Sequence, residues 1–276
     1  MNNLRIVYDN AVNRTSSLTA SSTAGSLVAA NLLTDIKSQT WRATGTSATL
    51  TATLAANETI ACVALPFVNF TSGATIRVRG YATPSGTLLI DTGAVAACAS
   101  VPAGLKGWGT RSLGANAFAY NGGAYAYAWF APTVVQQLVI DLADSGNPAG
   151  YIEVSRLVVG NYWSPTYNAD YGVTLTPADQ SKQFRTDAGD LLTDLGTRSR
   201  SMKLNLSNMP ATDRLAMTNL LTGNGLSAPV FFSLYPGSSD PALEQTFSIY
   251  AKLSAISSIT ANLPGVFVAP LELEEV

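Results

Sequence analysis

The chain has 276 residues, of which 16 are Lys or Arg, 18 are Asp or Glu and none is His, giving a formal net charge of −2. This balance excludes the concentrated positive surface that nucleic-acid binding needs, and the lack of His excludes Ser-His-Asp and Cys-His catalysis. Only 12% of the residues are charged. The surface is therefore expected to be built from small polar residues, or to be largely covered by other subunits.

The two cysteines, Cys62 and Cys98, form no disulfide pattern, and whether they pair stays open at this level. The first residues contain no apolar signal segment. There is also no apolar run of about 18 residues, the length that a membrane helix requires. We therefore expect neither secretion through a signal peptide nor a membrane span.

The first part of the chain predicts short strands separated by polar segments. Residues 4–8 form a strand candidate, and the Ser/Thr-rich residues 13–22 are interpreted as irregular surface chain. Apolar and Thr/Ser side chains alternate over residues 48–54, which indicates a half-buried strand. Asn57 and Glu58 are expected to turn the chain. Residues 60–65 are apolar on both faces and predict a central strand.

The next segment is rich in glycine and aromatic residues. Arg77 and Arg79 alternate with Ile76 and Val78, which predicts a strand with one cationic face. From residue 124 onward aromatic and alanine side chains alternate, and residues 134–142 predict a further amphipathic strand. The rings either cover a core or a subunit contact, or form a platform that stacks on sugars. The candidate contact residues are Trp108, Tyr120, Tyr125, Tyr127 and Trp129.

Residues 151–160 predict a strand that is apolar on both faces and ends at Gly160, just before an aromatic-Ser-Pro cluster. We interpret this point as the boundary between two domains, residues 1–163 and 164–276. The first of these is expected to fold when it is expressed alone.

The order of features over residues 4–163 resembles the galactose-binding-like (discoidin-type) jelly roll found at the front of some bacteriophage tail proteins. The segments that carry the resemblance are residues 18–22, 31–33, 41–42, 60–65, 74–79 and 151–160. The resemblance implies an N-terminal β-sandwich. It assigns no ligand residue, because no specific sugar-binding motif is matched.

The second part predicts a smaller β-rich domain with one α-helix at about residues 210–222, so that the fold class is mainly β. A hairpin turn is expected at residues 187–190, and the helix is indicated by Pro210 and Asp213 at its start and by Gly223 after its end. This part resembles the adaptor-like β domains of phage distal-tail proteins.

No catalytic, metal-binding or cofactor-binding motif is visible, and no cofactor is expected. Glycoside hydrolysis requires two carboxylates that flank the scissile bond. Carboxylates that could do so are Asp91, Asp141, Asp144 and Glu153, but nothing in the sequence marks two of them as a pair. We therefore predict a protein that is not an enzyme.

Three functional hypotheses follow. The first is a structural virion protein of a phage tail tip or baseplate, assembled in the host cytoplasm as a homo-oligomeric ring with other phage tail proteins. The second is a carbohydrate-binding module that recognises a glycan on the host surface. The third is an esterase or glycosidase of the tail.

Overall fold

A computed structural model describes residues 2–99 and 124–276. The fold is mainly β, as predicted: an N-terminal sandwich of jelly-roll type is followed by a smaller β-rich part that carries a helix. Trp108 and Tyr120 lie outside the described residues. None of the helices within the described ranges could cross a membrane.

The strands, in chain order, are β1 (Arg5–Val7), β2 (Thr15–Ala20), β3 (Trp41–Arg42), β4 (Ser47–Val68), β5 (Thr75–Tyr81), β6 (Leu88–Asp91), β7 (Val95–Ala96), β8 (Ala124–Ala143), β9 (Glu153–Val154), β10 (Val158–Gly160), β11 (Thr174–Asp179), β12 (Lys182–Arg185), β13 (Leu191–Asp194), β14 (Arg198–Pro210), β15 (Val230–Ser233), β16 (Ser248–Leu253), β17 (Thr260–Leu263) and β18 (Val266–Glu275). The α-helices are α1 (Ala211–Asn219) and α2 (Pro241–Thr246). Single helical turns are formed by Ala11–Arg14, Ala29–Leu33 and Leu220–Asn224.

The jelly roll is built around β4 and β8, which pair antiparallel along most of their length. The first half of β4 also pairs with β2, and the second half pairs with β10. Strand β5 adds to the far side of β8, and β6 and β7 follow it. The pairing between β4 and β8 contains register shifts. Because such bulges bend a strand, each of these long strands can take part in two regions of the sandwich.

Two expectations for this region are wrong. The chain does not turn at Asn57 and Glu58, because β4 continues through them with a bulge in its pairing to β8. Most of residues 13–22 are also not irregular, since β2 pairs with β4 in the register Leu18 to Ala52. Three of the six residues of β2 are exposed and none is fully buried, so the strand lacks the strong apolar alternation that would reveal it in the sequence.

The C-terminal sheet has the order β1-β15-β16-β18-β14-β11, with β17 paired to β18. Its edge strand β1 comes from the very start of the chain and pairs with β15 in the register Ile6 to Phe232. The strand predicted at residues 4–8 is therefore confirmed, but it belongs to the C-terminal sheet. The division at residue 163 stays a prediction, and β1 is an exception to it.

Helix α1 forms where the sequence predicted a helix. Pro210 precedes it, Asp213 lies in its first turn, and a π-helical turn extends it to Asn224. The short helix α2 was not predicted. Its N-cap is Asp240, whose carboxylate accepts hydrogen bonds from the backbone amides of Ala242 and Leu243.

Three apolar clusters are formed by the described residues. One fills the jelly roll and one lies under the C-terminal sheet. The third, here called the shared cluster, joins the two and contains Val7, Cys62, Ala64, Phe67, Tyr125, Val158, Phe231 and Tyr250. The residues around 60–65 are apolar on both faces for this reason: Val63 faces the jelly-roll core and Cys62 faces the shared cluster.

Candidate functional site

The aromatic row of β8 faces the C-terminal sheet. Tyr125 is fully buried, and Tyr127 and Trp129 are half-buried. The ring of Trp129 stacks on Phe231 of β15 with a centroid separation of 5.9 Å, and Tyr127 lies 6.1 Å from the same ring. The alanines alternate with the rings and lie on the opposite face, as predicted, and this face packs in the jelly-roll core. The row thus forms part of the contact between the two halves.

Polar groups fix this contact. Trp129 Nε1 donates a hydrogen bond of 2.9 Å to Glu244 Oε1, and burial raises the pKa of the Glu244 carboxyl. The Tyr125 hydroxyl donates to the Glu275 carboxylate, which also holds Arg200 at 2.6 Å. The tips of the aromatic side chains are therefore bound to groups of the C-terminal half.

This placement bears on the candidate residues. A sugar cannot reach Tyr125, because none of its surface is exposed. Tyr127 and Trp129 keep some exposure, but their rings already contact Phe231. For these three residues the geometry favours the packing interpretation, while a role for Trp108 and Tyr120 stays a prediction.

Arg156 is a functional candidate that the sequence did not reveal. It lies between β9 and β10, which divide the single strand predicted over residues 151–160, and its side chain is 3% exposed. Its guanidinium pairs with Asp35 at 3.0 Å and contacts the Tyr250 hydroxyl at 3.2 Å. Because Tyr250 belongs to the shared cluster, Arg156 ties the jelly roll to the C-terminal sheet.

A cleft of about 440 Å³ opens on one side of this contact. It is here called the seam cleft, and its walls include Tyr8, Asp9, Glu58, Asn161, Tyr162 and Trp163. These residues come from the segments after β1 and β10 and from the middle of β4. Sequence reasoning noted the aromatic cluster only as the end of a strand, because Tyr8 and Glu58 are far from it along the chain.

Gly160 determines how closely the walls of the seam cleft approach. A Cβ atom at this position would lie 2.4 Å from the Asp9 carbonyl oxygen and 2.9 Å from Val7 Cγ1. Because the backbone of Asp9 lies so close to position 160, only glycine fits there. This is typical of sites where two chain segments approach closely.

We expect Gly160→Ala to lower the free energy of unfolding by about 1–3 kcal/mol, because the added methyl group must displace backbone. Urea denaturation of both proteins measures the difference. Gly146→Ala is the matched control, since a Cβ there meets nothing within 4 Å. Equal stability of the two variants would show that the contact at Gly160 is not tight.

The carboxylates considered for catalysis each have a partner inside the jelly roll. Asp91 binds Arg77, Asp141 binds Arg79, Asp144 binds Thr71, and Glu153 binds Arg42. Within residues 2–99 and 124–276 no three Cys, Asp or Glu side chains cluster in a way that could hold a metal ion. Cys62 and Cys98 are both buried, and no disulfide joins them within these ranges.

A second feature of interest is a protruding hairpin, residues 180–197, here called the arm. It extends the β11–β14 pair through β12 and β13, which pair only with each other. Every residue of these two strands is exposed. Phe184 and Leu192 lie directly opposite each other and are 53% and 46% exposed. The predicted hairpin turn at residues 187–190 lies at its tip.

Comparisons with known proteins give distant likenesses. No protein-family profile and no curated protein sequence matches the chain. The structure is similar to a Ruminococcus gnavus GH29 fucosidase in complex with fucose, with a TM-score of 0.40 and 13% identity. That match covers 57% of this chain and only 27% of the fucosidase chain.

Two single binding modules are also similar. The CBM32 of AlyQ, in complex with 4,5-unsaturated mannuronic acid, has a TM-score of 0.36 and 17% identity, covering 52% of this chain and 94% of its own. The family 32 module of Clostridium perfringens NanJ, in complex with galactose, has a TM-score of 0.38 and 12% identity, covering 58% and 99%. Likenesses this distant assign no ligand to the present chain, and none of these three proteins is a phage tail protein.

Proposed function

We propose that the chain is a non-catalytic structural subunit that assembles with further copies of itself through the arm. The observation that carries this proposal is the exposure of both arm strands on both faces. An isolated two-stranded hairpin is at best marginally stable in water. The arm therefore needs a surface to cover it, and its exposed Phe184 and Leu192 offer an apolar face for that contact.

A second copy of the chain is the occupant that fits best. The net charge of −2 over 276 residues gives little repulsion between copies. The arm itself presents the cross-strand pair Lys182 and Asp194 beside its apolar face, so it carries both signs of charge. A closed ring is the expected product if each arm contacts the next copy in the same way.

The setting that we propose for this assembly is the tail tip or baseplate of a bacteriophage, with other tail proteins as neighbours. This part of the proposal rests on the resemblance of the order of sequence features to such proteins. Electron microscopy of virions carrying a tag on this chain tests it. Label at the tail tip is expected, and particles without any label would refute this setting.

The double variant Phe184→Ser with Leu192→Ser is expected to weaken self-association on the order of a hundredfold, because two large apolar side chains are no longer there to be buried between copies. Mass measurement across a concentration series gives the result. Ile256→Ser with Leu263→Ser is the matched control, since both residues are 63% exposed but lie outside the arm. The arm proposal fails if both variants associate like the native protein, or if the native chain is always monomeric.

A second candidate function, recognition of a glycan, is favoured by the seam cleft. Its walls combine aromatic rings with carboxylate and amide groups. Sugar rings offer apolar C–H faces and polar hydroxyls, so both kinds of group have a partner in a bound sugar. A glycan array probed with the full chain tests this function, and a silent array would remove it.

A further inference from the structure

One wall of the seam cleft is aromatic, and the polar groups of its side chains have no hydrogen-bond partner in the described part of the chain. Tyr8, Tyr162 and Trp163 are each half-buried, so part of each ring faces solvent. Among residues 2–99 and 124–276, no hydrogen bond involves the hydroxyl of Tyr8 or Tyr162 or the indole nitrogen of Trp163. When aromatic side chains are buried, these polar groups usually hydrogen-bond to a partner. Here the polar groups remain available to bind a ligand.

One of these rings is held rigidly. The Arg5 guanidinium lies 4.3 Å from the centre of the Tyr162 ring, and Trp129 meets that ring edge-on at 5.6 Å. The backbone of Trp163 is also fixed, because it exchanges two hydrogen bonds with Ile6. A ligand that stacks here therefore meets surfaces that are already ordered, which reduces the entropy lost on binding.

The seam cleft is also lined by two carboxylates that share one cation. Arg14 bonds Asp9 at 2.6 Å and Glu58 at 2.7 Å. The hydrogen bonds from Arg14 to Glu58 and then to Asp9 raise the pKa of its guanidinium, so it stays charged. The three groups together carry one net negative charge. Each carboxylate oxygen can accept further hydrogen bonds, and the amide nitrogen of the exposed Asn161 can donate.

We propose that the seam cleft binds a neutral pyranose sugar, with a C–H face of the ring on the aromatic wall and its hydroxyls on Asp9, Glu58 and Asn161. The electron-rich face of an aromatic ring attracts the weakly positive C–H groups of the sugar. A volume of about 440 Å³ lies within the usual range of ligand pockets. Because the sugar hydroxyls would lie against the Asp9 and Glu58 carboxylates, a sugar that carries its own carboxylate is disfavoured in this position. This inference rests on glycan recognition, the second candidate function.

Titration of the full chain with the methyl glycosides of galactose, glucose, mannose, fucose and the two N-acetylhexosamines, followed by NMR, tests the proposal. At least one of them is expected to bind, and glucuronic acid is expected to bind at least several-fold more weakly. Asn161→Ala and Tyr162→Ala should each weaken binding by about tenfold, the effect of losing about 1.4 kcal/mol of contact. Asn161 is exposed, so Asn161→Ala keeps the test decisive if Tyr162→Ala fails to fold.

Tyr171→Ala is the matched control, because Tyr171 is fully exposed and lies outside the cleft. It should leave the affinity unchanged. Sugar binding that survives both cleft variants would place the site elsewhere and overturn this inference, while glycan recognition would stand. No binding to any sugar on the array would refute both. The oligomeric state of the arm variants is a separate measurement and does not depend on either outcome.

Discussion

Replacing Arg200 with alanine is expected to lower the free energy of unfolding by about 3–5 kcal/mol, the loss typical of a broken buried ion pair. The side chains of Arg200 and Glu275 are only 4% and 1% exposed, and they approach to 2.6 Å. Arg200 also donates to the carbonyl oxygens of Thr246 and Ser248. Without the guanidinium, the buried Glu275 carboxylate keeps Tyr125 as its hydrogen-bond donor but loses the cation with which it pairs.

Urea denaturation measures this loss, and the same strand supplies the control. Arg198 lies two residues away on β14 and pairs with Asp179 at 3.0 Å, but its side chain is 68% exposed. Because water screens such a pair, Arg198→Ala should cost less than about 1 kcal/mol. Similar losses in the two variants would contradict the burial of the Arg200 pair.

A second variant separates charge from packing. Arg200→Met combined with Glu275→Leu removes both charges and fills the space with apolar atoms. Such replacements are often neutral or stabilising, so most of the stability lost in Arg200→Ala should return. A double variant as unstable as the single one would mean that the hydrogen bonds of the two side chains, from Arg200 to the backbone and from Tyr125 to Glu275, matter more than their charges.

Residues 9–163 expressed alone are expected to aggregate or to remain incompletely folded. The fragment keeps the jelly-roll core but uncovers its side of the shared cluster, including Phe67, Tyr125 and Val158. Burial of each large apolar side chain contributes roughly 1.5–3 kcal/mol, so the fragment loses several kcal/mol. It also gains an exposed apolar patch of the kind that promotes association. Circular dichroism and light scattering measure both effects.

A repaired fragment shows whether the uncovered surface is the cause. Tyr125→Ser, Trp129→Ser and Phe67→Asn make that surface polar, and Asn suits position 67 because its φ is +58°. This version should stay soluble and folded. If the unmodified fragment already matches the thermal stability of the whole chain, the two halves are independent and the division at residue 163 holds. If the repaired version also fails, the jelly roll needs the C-terminal sheet for its core.

The sequence was most informative where a strand has one buried face. The alternation in residues 48–54 and in the aromatic row predicted both strands, and in residues 48–54 it also predicted the buried face, because a half-buried strand must repeat every two residues. It was least informative for β2, an edge strand held mainly by backbone hydrogen bonds that any sequence can make. The bulge at Asn57 was predicted as a turn, because polar residues occur in both bulges and turns.

The candidate site could be predicted only in part. The aromatic residues were recognised, but their partner Phe231 lies in another sheet and no local pattern links them. The sequence signal for this contact was the segment around Val158 and Val159, which is apolar on both faces. Val158 faces the shared cluster and Val159 faces the jelly-roll core. Such a pattern indicates that a second layer packs on the strand, but it does not indicate which residues form that layer.

The position of β1 constrains how the chain can be synthesised and folded. Its partner β15 leaves the ribosome more than two hundred residues later, after the whole jelly roll has been made. Until then β1 has an open hydrogen-bonding edge, and the closure of so long a loop is slow. The C-terminal sheet is therefore completed only after β15 has been synthesised, and a nascent chain stalled before residue 230 would carry β1 without its partner strand.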